Sequence, residues 1–104
     1  MIGLIKKLFG IGPKADFGAV IANGGIIIDV RTPGEYAGGH IKGSVNIPLG
    51  NLQGQMSKLK KDKAIITCCA SGMRSGSAKS MLLSNGFKEV YNGGSWYSLK
   101  KFEK

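Results

Sequence analysis

The sequence predicts an α/β domain in which helices flank a mainly parallel central sheet. Short continuous apolar runs are typical of parallel strands that are buried on both faces. Segments with apolar residues at helical spacing separate these runs. Because strands and helices alternate along the chain, a parallel sheet covered by helices is favoured. The chain has 104 residues, 42% of them hydrophobic, which is enough for one soluble domain.

The first half of the chain contains two predicted strands among helices. Three apolar residues at helical spacing predict a helix over 14–22, which Asn-Gly-Gly ends. The apolar run at 26–30 predicts a buried strand, and a short helical turn is expected at 35–37. A second short strand at 44–47 ends at a proline. Four leucines and methionines then recur at helical spacing over 49–59, which predicts another helix.

The second half continues the alternation. The apolar run at 64–68 predicts a third buried strand, and residues 74–84 are expected to form a helix that Asn-Gly ends. A fourth strand is predicted at 88–91, followed by a glycine turn at 92–94. The apolar residues of the predicted last helix are Trp96, Leu99 and Phe102.

The N-terminal residues 1–12 are predicted to form an amphipathic arm that precedes the domain at 13–104. Lys6 and Lys7 interrupt the apolar residues of the arm, whereas a signal peptide carries its charges before its apolar run. No stretch has the length of a membrane span, so we expect no transmembrane segment.

The net charge of +9 comes from thirteen lysines and two arginines. Nucleic-acid binders more typically combine arginine with interleaved aromatic residues, so we predict no nucleic-acid partner. The excess lysine is interpreted as solvated surface, with steering of small anions or of an acidic partner as the functional alternative. The densest basic run comprises Lys58, Lys60, Lys61 and Lys63.

The strongest chemical signal lies between the third strand and the next helix. There a buried strand delivers Cys69 to a loop of the small residues Ala70, Ser71 and Gly72. Such a loop lets backbone N–H groups converge on an anion, and the helix that starts near Arg74 adds positive potential. Arg74 could donate to the loop or to a bound oxyanion, and we predict that it is a catalytic residue together with Cys69. We therefore predict that Cys69 is a nucleophile with a lowered pKa.

The neighbouring Cys68 leaves an alternative open. We interpret it as a core residue of the strand, but Cys68 and Arg74 also have the Cys-x5-Arg spacing of cysteine-dependent phosphatases and arsenate reductases. No histidine precedes Cys68, and Gly72 fits the Cys69 register. Adjacent cysteines disfavour a structural disulfide, and with His40 they make a poor metal site, so we expect no metal and a reducing, cytoplasmic location.

Four ordered motif blocks resemble the rhodanese family of sulfurtransferases. Residues 69–75 match its active loop, Cys-x-x-Gly-x-Arg-Ser, and residues 29–31 match its Asp-Val-Arg. The block at 35–48 follows in the family's order, and 90–96 resembles its closing Gly-Gly-x-x-x-Trp with shorter spacing. The resemblance covers roughly residues 14–102 and implies a three-layer rhodanese-like fold.

The resemblance also implies a reaction without a cofactor. Cys69 would take a sulfane sulfur from thiosulfate or a persulfide and pass it to a thiol or to cyanide, and a thiol on a partner protein is among the acceptors that the resemblance implies. The substrate-binding loop would comprise Ala70, Ser71, Gly72, Met73, Arg74 and Ser75. The variable loop positions are neutral, so we expect thiosulfate to be a poor donor. We expect a monomer.

Other polar residues are assigned structural roles. Asp29 is expected to accept N–H bonds, and Arg31 to pair with Glu35, because a buried charge needs a partner. In the family His40 is a framework residue, and Trp96 is expected in the core. Two further functions stay open, a non-catalytic binding module and thiol redox chemistry in which Cys68 resolves an oxidised Cys69.

Overall fold

The computed structural model describes residues 16–103. Strands and helices alternate along this part of the chain, as predicted. The strands are β1 (Ile26–Asp29), β2 (Val45–Asn46), β3 (Ile65–Cys69) and β4 (Val90–Ser95). The α-helices are α1 (Phe17–Ala22), α2 (Pro33–Ala37), α3 (Leu49–Gln55) and α4 (Met73–Ser84). The 3₁₀ helices are Met56–Lys58 and the C-terminal Trp96–Phe102.

The four strands form one parallel sheet in the order β2-β1-β3-β4. This confirms the predicted α/β class with a parallel sheet. The carboxyl ends of β1 and β3 lie side by side, with Asp29 paired to Cys68. Because ligand sites in such folds lie at this edge, the sheet brings the sequence motifs together there.

The core consists of two apolar clusters, one on each face of the sheet. One contains Ile28, Leu52, Ile65 and Leu82, and the other contains Ile27, Ile41, Ile66 and Leu99. Helices therefore cover both faces, which gives the three layers that were expected. Trp96 packs partly buried against the second cluster.

The two adjacent cysteines belong to opposite clusters. Side chains alternate between faces along a strand, so Cys69 joins the first cluster and Cys68 the second. Both are free thiols. This alternation determines which of the two thiols reaches the loop after β3.

The end of the sheet differs from the sequence-based expectation. The predicted fourth strand is present, but it spans Val90–Ser95, so its bounds of 88–91 and the turn at 92–94 were wrong. β3 also continues one residue further, to Cys69. The register between the two strands shifts between Thr67 and Cys69, which marks a bulge. Gly93 packs so closely on β3 that a Cβ there would lie 2.8 Å from Ile66 Cγ2. The glycine is thus needed for close packing of strands rather than for a turn.

The predicted N-terminal arm at 1–12 lies outside the described residues. Among residues 16–103, no helix combines the length and the apolar character that a membrane crossing requires.

We predict that Gly93→Ala lowers the free energy of unfolding by about 1–3 kcal/mol, because the added methyl group overpacks the core. Its Cβ would also lie 2.8 Å from Leu99 Cδ1 and 2.9 Å from the carbonyl oxygen of Thr67. Urea unfolding followed by circular dichroism measures the change. The control is Gly54→Ala in α3, where nothing lies within 4 Å of the new Cβ. It should stabilise by about 0.4–1 kcal/mol, and equal effects of the two changes would contradict the packing argument.

Candidate active site

The candidate site is the loop that joins β3 to α4. Cys69 ends β3, and the exposed Ala70 and Ser71 lead to Gly72, which caps α4. The φ angle of Gly72 is 105°, a left-handed conformation that glycine adopts without steric cost. A Cβ on Gly72 would lie 3.4 Å from Gly94 Cα, so the loop also packs closely on the end of β4.

The Cys69 sulfur faces backbone N–H groups of this loop. The N–H of Gly72 donates to Sγ at 3.0 Å and that of Ser75 at 3.4 Å. The Ser75 hydroxyl oxygen lies 3.4 Å from Sγ. Burial raises the pKa of this thiol, but hydrogen bonds from Ser75, Gly72 and Ser71 outweigh burial and hold the pKa below its usual value. The direction agrees with the lowered pKa expected from the sequence.

Cys68 has a different environment. Its side chain is fully buried among apolar residues on the other face of the sheet. Burial, together with the nearby charge of Asp29, raises the pKa of Cys68 to about 12. Among residues 16–103, no hydrogen bond connects Cys68 to the loop of Cys69. The geometry therefore favours Cys69 as the reactive thiol.

Arg74 is held by Glu35 rather than by the loop. Its Nη1 and Nη2 donate to the two Glu35 carboxylate oxygens at 2.7 and 3.0 Å. These bonds, with one from the Thr32 N–H, lower the pKa of Glu35 to about 2. The same Glu35 completes the capping box of α2 with Thr32. The predicted donation from Arg74 to the loop is not seen, because Nη1 and Nη2 of its guanidinium group both donate to the Glu35 carboxylate.

The predicted ion pair between Arg31 and Glu35 is not formed, because Arg74 donates to both oxygens of the Glu35 carboxylate. Arg31 instead forms a buried ion pair with Asp29, with Nη2 2.7 Å from Oδ2. It also donates to the backbone carbonyls of Glu35 and Gly39 and lies over the Trp96 ring, 4.7 Å from its centroid. Asp29 accepts the Arg31 N–H, in line with the expected structural role. This pair ties the end of β1 to the segment that carries Glu35.

The remaining predicted residues surround the loop or lie away from it. Met73, the first residue of α4, is 82% exposed. His40 stacks on Tyr36 with ring centroids 3.7 Å apart, and its Nδ1 lies 2.7 Å from the Tyr36 carbonyl oxygen. These contacts agree with a framework role. No group of three potential metal-ligating side chains occurs among residues 16–103.

The sequence analysis missed Asn92, which joins the loop to β4. Its Oδ1 accepts from the Ser75 hydroxyl at 2.7 Å and from the Gly94 N–H at 2.9 Å. Its Nδ2 donates to the Gly72 carbonyl at 3.1 Å. Asn92 therefore contacts two of the residues that donate to the sulfur, Gly72 and Ser75. The only signal in the sequence was its place in the block at 90–96, where it was interpreted as part of a turn.

Comparisons with known proteins agree on one family. The Rhodanese-like domain family matches residues 14–100. A Bacillus subtilis protein described as uncharacterized is 44% identical over 66 residues, which are 64% of this chain and 52% of that protein. A thiosulfate sulfurtransferase of Pseudoalteromonas translucida is 39% identical over 67 residues, 64% of each chain. The chain thus spans about half to two thirds of the length of these curated relatives.

Solved structures show the same fold. A rhodanese with anions from E. coli is 32% identical, with a TM-score of 0.67 over 70% of this chain and 88% of that one. A human single-domain sulfurtransferase is 25% identical, with a TM-score of 0.72 over 86% of this chain and 93% of that one.

We predict that Asn92→Asp raises the pKa of Cys69. The new carboxylate would stand next to Ser75 and disfavour the thiolate, and its oxygen could not donate to the Gly72 carbonyl. The difference in ultraviolet thiolate absorbance between each protein and its Cys69→Ser counterpart, followed against pH, gives the pKa. Asn85→Asp is the control, because Asn85 lies at the opposite end of α4. An unchanged Cys69 pKa in Asn92→Asp would show that Asn92 does not influence the ionisation of the thiol.

Proposed function

The chain belongs to the rhodanese-like domain family, and we propose that it is a sulfurtransferase that carries a sulfur atom on Cys69. The observation that carries this proposal is the Cys69 sulfur, which receives N–H hydrogen bonds from Gly72 and Ser75. A cysteine thiolate is the reactive nucleophile, and these bonds favour the thiolate. The printed names of several relatives, thiosulfate sulfurtransferase, support the same activity.

In the first step, the Cys69 thiolate attacks the outer sulfur of a sulfane-sulfur donor. A bond forms between Sγ and that sulfur, and the sulfur–sulfur bond of the donor breaks. The leaving group departs with the bonding electron pair, as sulfite from thiosulfate or as a thiolate from a persulfide. The N–H groups around the loop are suited to stabilise the negative charge on the terminal sulfur.

In the second step, a thiolate or cyanide attacks the outer sulfur of the Cys69 persulfide. The new bond forms to the acceptor, and Cys69 leaves as a thiolate. The free enzyme is regenerated without a redox cofactor. Because the donor's leaving group departs before the acceptor reacts, we expect ping-pong kinetics.

We propose a persulfide rather than thiosulfate as the preferred donor. The variable loop residues Ala70, Ser71 and Met73 are uncharged. Arg74, the one cationic side chain between Cys69 and Ser75, is engaged by Glu35. A dianionic donor would therefore find little uncompensated positive charge in the loop itself.

The alternative chemistries receive less support. A Cys68-dependent phosphatase would need the Cys68 sulfur at the loop, whereas it lies in the opposite core cluster. The same separation of the two side chains disfavours Cys68 as a resolving thiol for Cys69. A purely non-catalytic module would not require the hydrogen bonds that lower the pKa of Cys69.

We predict that Cys69→Ser abolishes persulfide formation, whereas Cys68→Ser retains it, because only Cys69 faces the loop. Intact mass spectrometry after exposure to thiosulfate or to a low-molecular-weight persulfide detects the gain of one sulfur atom. Subsequent incubation with an acceptor thiol should remove it. Loss of the sulfur adduct in Cys68→Ser with retention in Cys69→Ser would reverse the assignment.

A further inference from the structure

A set of exposed lysines lies at the end of the sheet opposite the Cys69 loop. Lys58 ends the first 3₁₀ helix, and Lys60 and Lys61 lie in the turn before β3. Lys88 lies in the segment before β4, and its N–H donates to the carbonyl oxygen of Lys61 at 3.2 Å. This bond joins the two segments, so the amino ends of β3 and β4 carry one continuous set of lysines, which we call the lysine face.

The nearby carboxylates lie on another side of this end. Asp62 and Glu89 line a cavity beside α1 and β4, together with Asp16 and Lys63. No member of the lysine face lines that cavity. Among residues 16–103, no member forms an ion pair with a carboxylate either. The positive charge of the lysine face is therefore available to an external anion.

Other exposed lysines, around the C-terminal 3₁₀ helix, have local partners. Lys100 Nζ lies 3.6 Å from Glu103 Oε1, and the backbone N–H of Lys42 donates to the same carboxylate. Lys101 Nζ lies 5.6 Å from the centroid of the Phe102 ring. We call Lys42, Lys100 and Lys101 the Glu103 lysines. They serve as the comparison for the lysine face, because they carry the same kind of charge in a partnered environment.

The composition of the lysine face indicates what kind of polyanion it fits. Single-stranded nucleic acids are bound with arginine and stacked aromatic rings, and the cores of protein interfaces are enriched in aromatic residues and arginine and depleted in lysine. Arg31 and Arg74 form ion pairs with carboxylates elsewhere. In the segments 58–63 and 85–89, the one aromatic residue, Phe87, is buried. Flexible lysines without a fixed geometry instead suit the diffuse negative charge of an anionic lipid surface.

The amino-acid sequence adds an apolar component that also favours lipid. Residues 1–9 combine Lys6 and Lys7 with five large apolar residues. These are Ile2, Leu4, Ile5, Leu8 and Phe9. Basic segments rich in such residues bind at the interface of anionic membranes, and apolar and electrostatic contributions together give stronger binding than either alone. Of the three partners, an anionic bilayer is the one that accommodates both the lysines and these apolar residues.

We propose that the lysine face docks this protein on an anionic membrane surface, where lysine ammonium groups bind the phosphates of lipid headgroups. β3, which spans Ile65–Cys69, separates the lysine face from the Cys69 sulfur by about 13 Å. The Cys69 loop then faces away from the bilayer and stays open to molecules from the aqueous phase. The inference goes beyond the proposed sulfurtransferase function and does not depend on it, since the two involve opposite ends of the sheet.

The test is cosedimentation of the full chain with vesicles of phosphatidylcholine alone and with vesicles that also contain phosphatidylglycerol. Wild type is compared with a variant of the lysine face, Lys60→Gln/Lys61→Gln/Lys88→Gln. The control makes the same change at the Glu103 lysines. Circular dichroism checks that both variants are folded. Hydrogen exchange of the wild type with and without vesicles identifies the docked surface without any substitution.

We expect the wild type to bind vesicles with phosphatidylglycerol about tenfold or more tightly than vesicles without it, and added salt to weaken this binding. Each lysine near an anionic surface changes the partition coefficient about fivefold, so the variant of the lysine face should lose about a hundredfold. The control should lose less than about tenfold, because its lysines lie away from the bilayer. Vesicles should slow exchange at 58–63 and 85–89 and leave 69–75 unchanged.

Four results would overturn the proposal. Equal binding to both kinds of vesicle would remove the role of charge, and equal losses in the two variants would show that net charge alone matters. Slower exchange at 69–75 in place of 58–63 and 85–89 would place the bilayer at the wrong end of the sheet. Tighter binding to duplex DNA or to polyglutamate than to the vesicles would show that the lysine face serves a nucleic acid or an acidic protein.

Discussion

The site depends on the competition between burial of the Cys69 sulfur and the N–H groups directed at it. The side chain of Cys69 is fully buried, which by itself favours the neutral thiol. Each hydrogen bond to a charged group contributes about 1.5–3 kcal/mol, and together the hydrogen bonds to Sγ outweigh burial, since the pKa of Cys69 is lowered. Because Gly72 and Ser75 supply N–H groups to the sulfur, the lowered pKa of Cys69 depends on the shape of the junction of β3 and α4.

Three side-chain connections hold that junction in place. Asn92 joins the loop to β4, and the Glu35–Arg74 pair joins the start of α4 to α2. The buried Asp29–Arg31 pair fixes the end of β1 and reaches the carbonyls around α2. The charged residues of the motifs thus act on the frame of the loop, and the sulfur is stabilised mainly by neutral donors.

The sequence was sufficient for the alternation of strands and helices along the chain and for the parallel sheet. Both follow from local pattern, since apolar runs and their spacing are properties of neighbouring residues. The choice of Cys69 over Cys68 rested on Gly72 and the flanking motifs, and it stays a prediction. The exchange of partners between Arg31 and Arg74 could not be predicted, because Arg74 and Glu35 lie far apart in the chain and meet only in the fold. The role of Asn92 was missed because Gly93 and Gly94 suggest a turn, whereas close packing on β3 draws them into a strand.

The most direct test identifies the groups that lower the pKa of Cys69. The pKa of Cys69 is measured by thiolate absorbance in wild type, in Ser75→Ala, and in Glu35→Gln/Arg74→Gln, which removes the ion pair without changing the net charge. The account predicts that Ser75→Ala raises the pKa of Cys69, because the hydroxyl group 3.4 Å from Sγ, whose contact lowers that pKa, is removed while the backbone N–H of residue 75 stays. The paired change should leave the pKa close to the wild-type value. A pKa that rises with the paired change and not with Ser75→Ala would show that Arg74, and not the neutral donors around the loop, stabilises the thiolate.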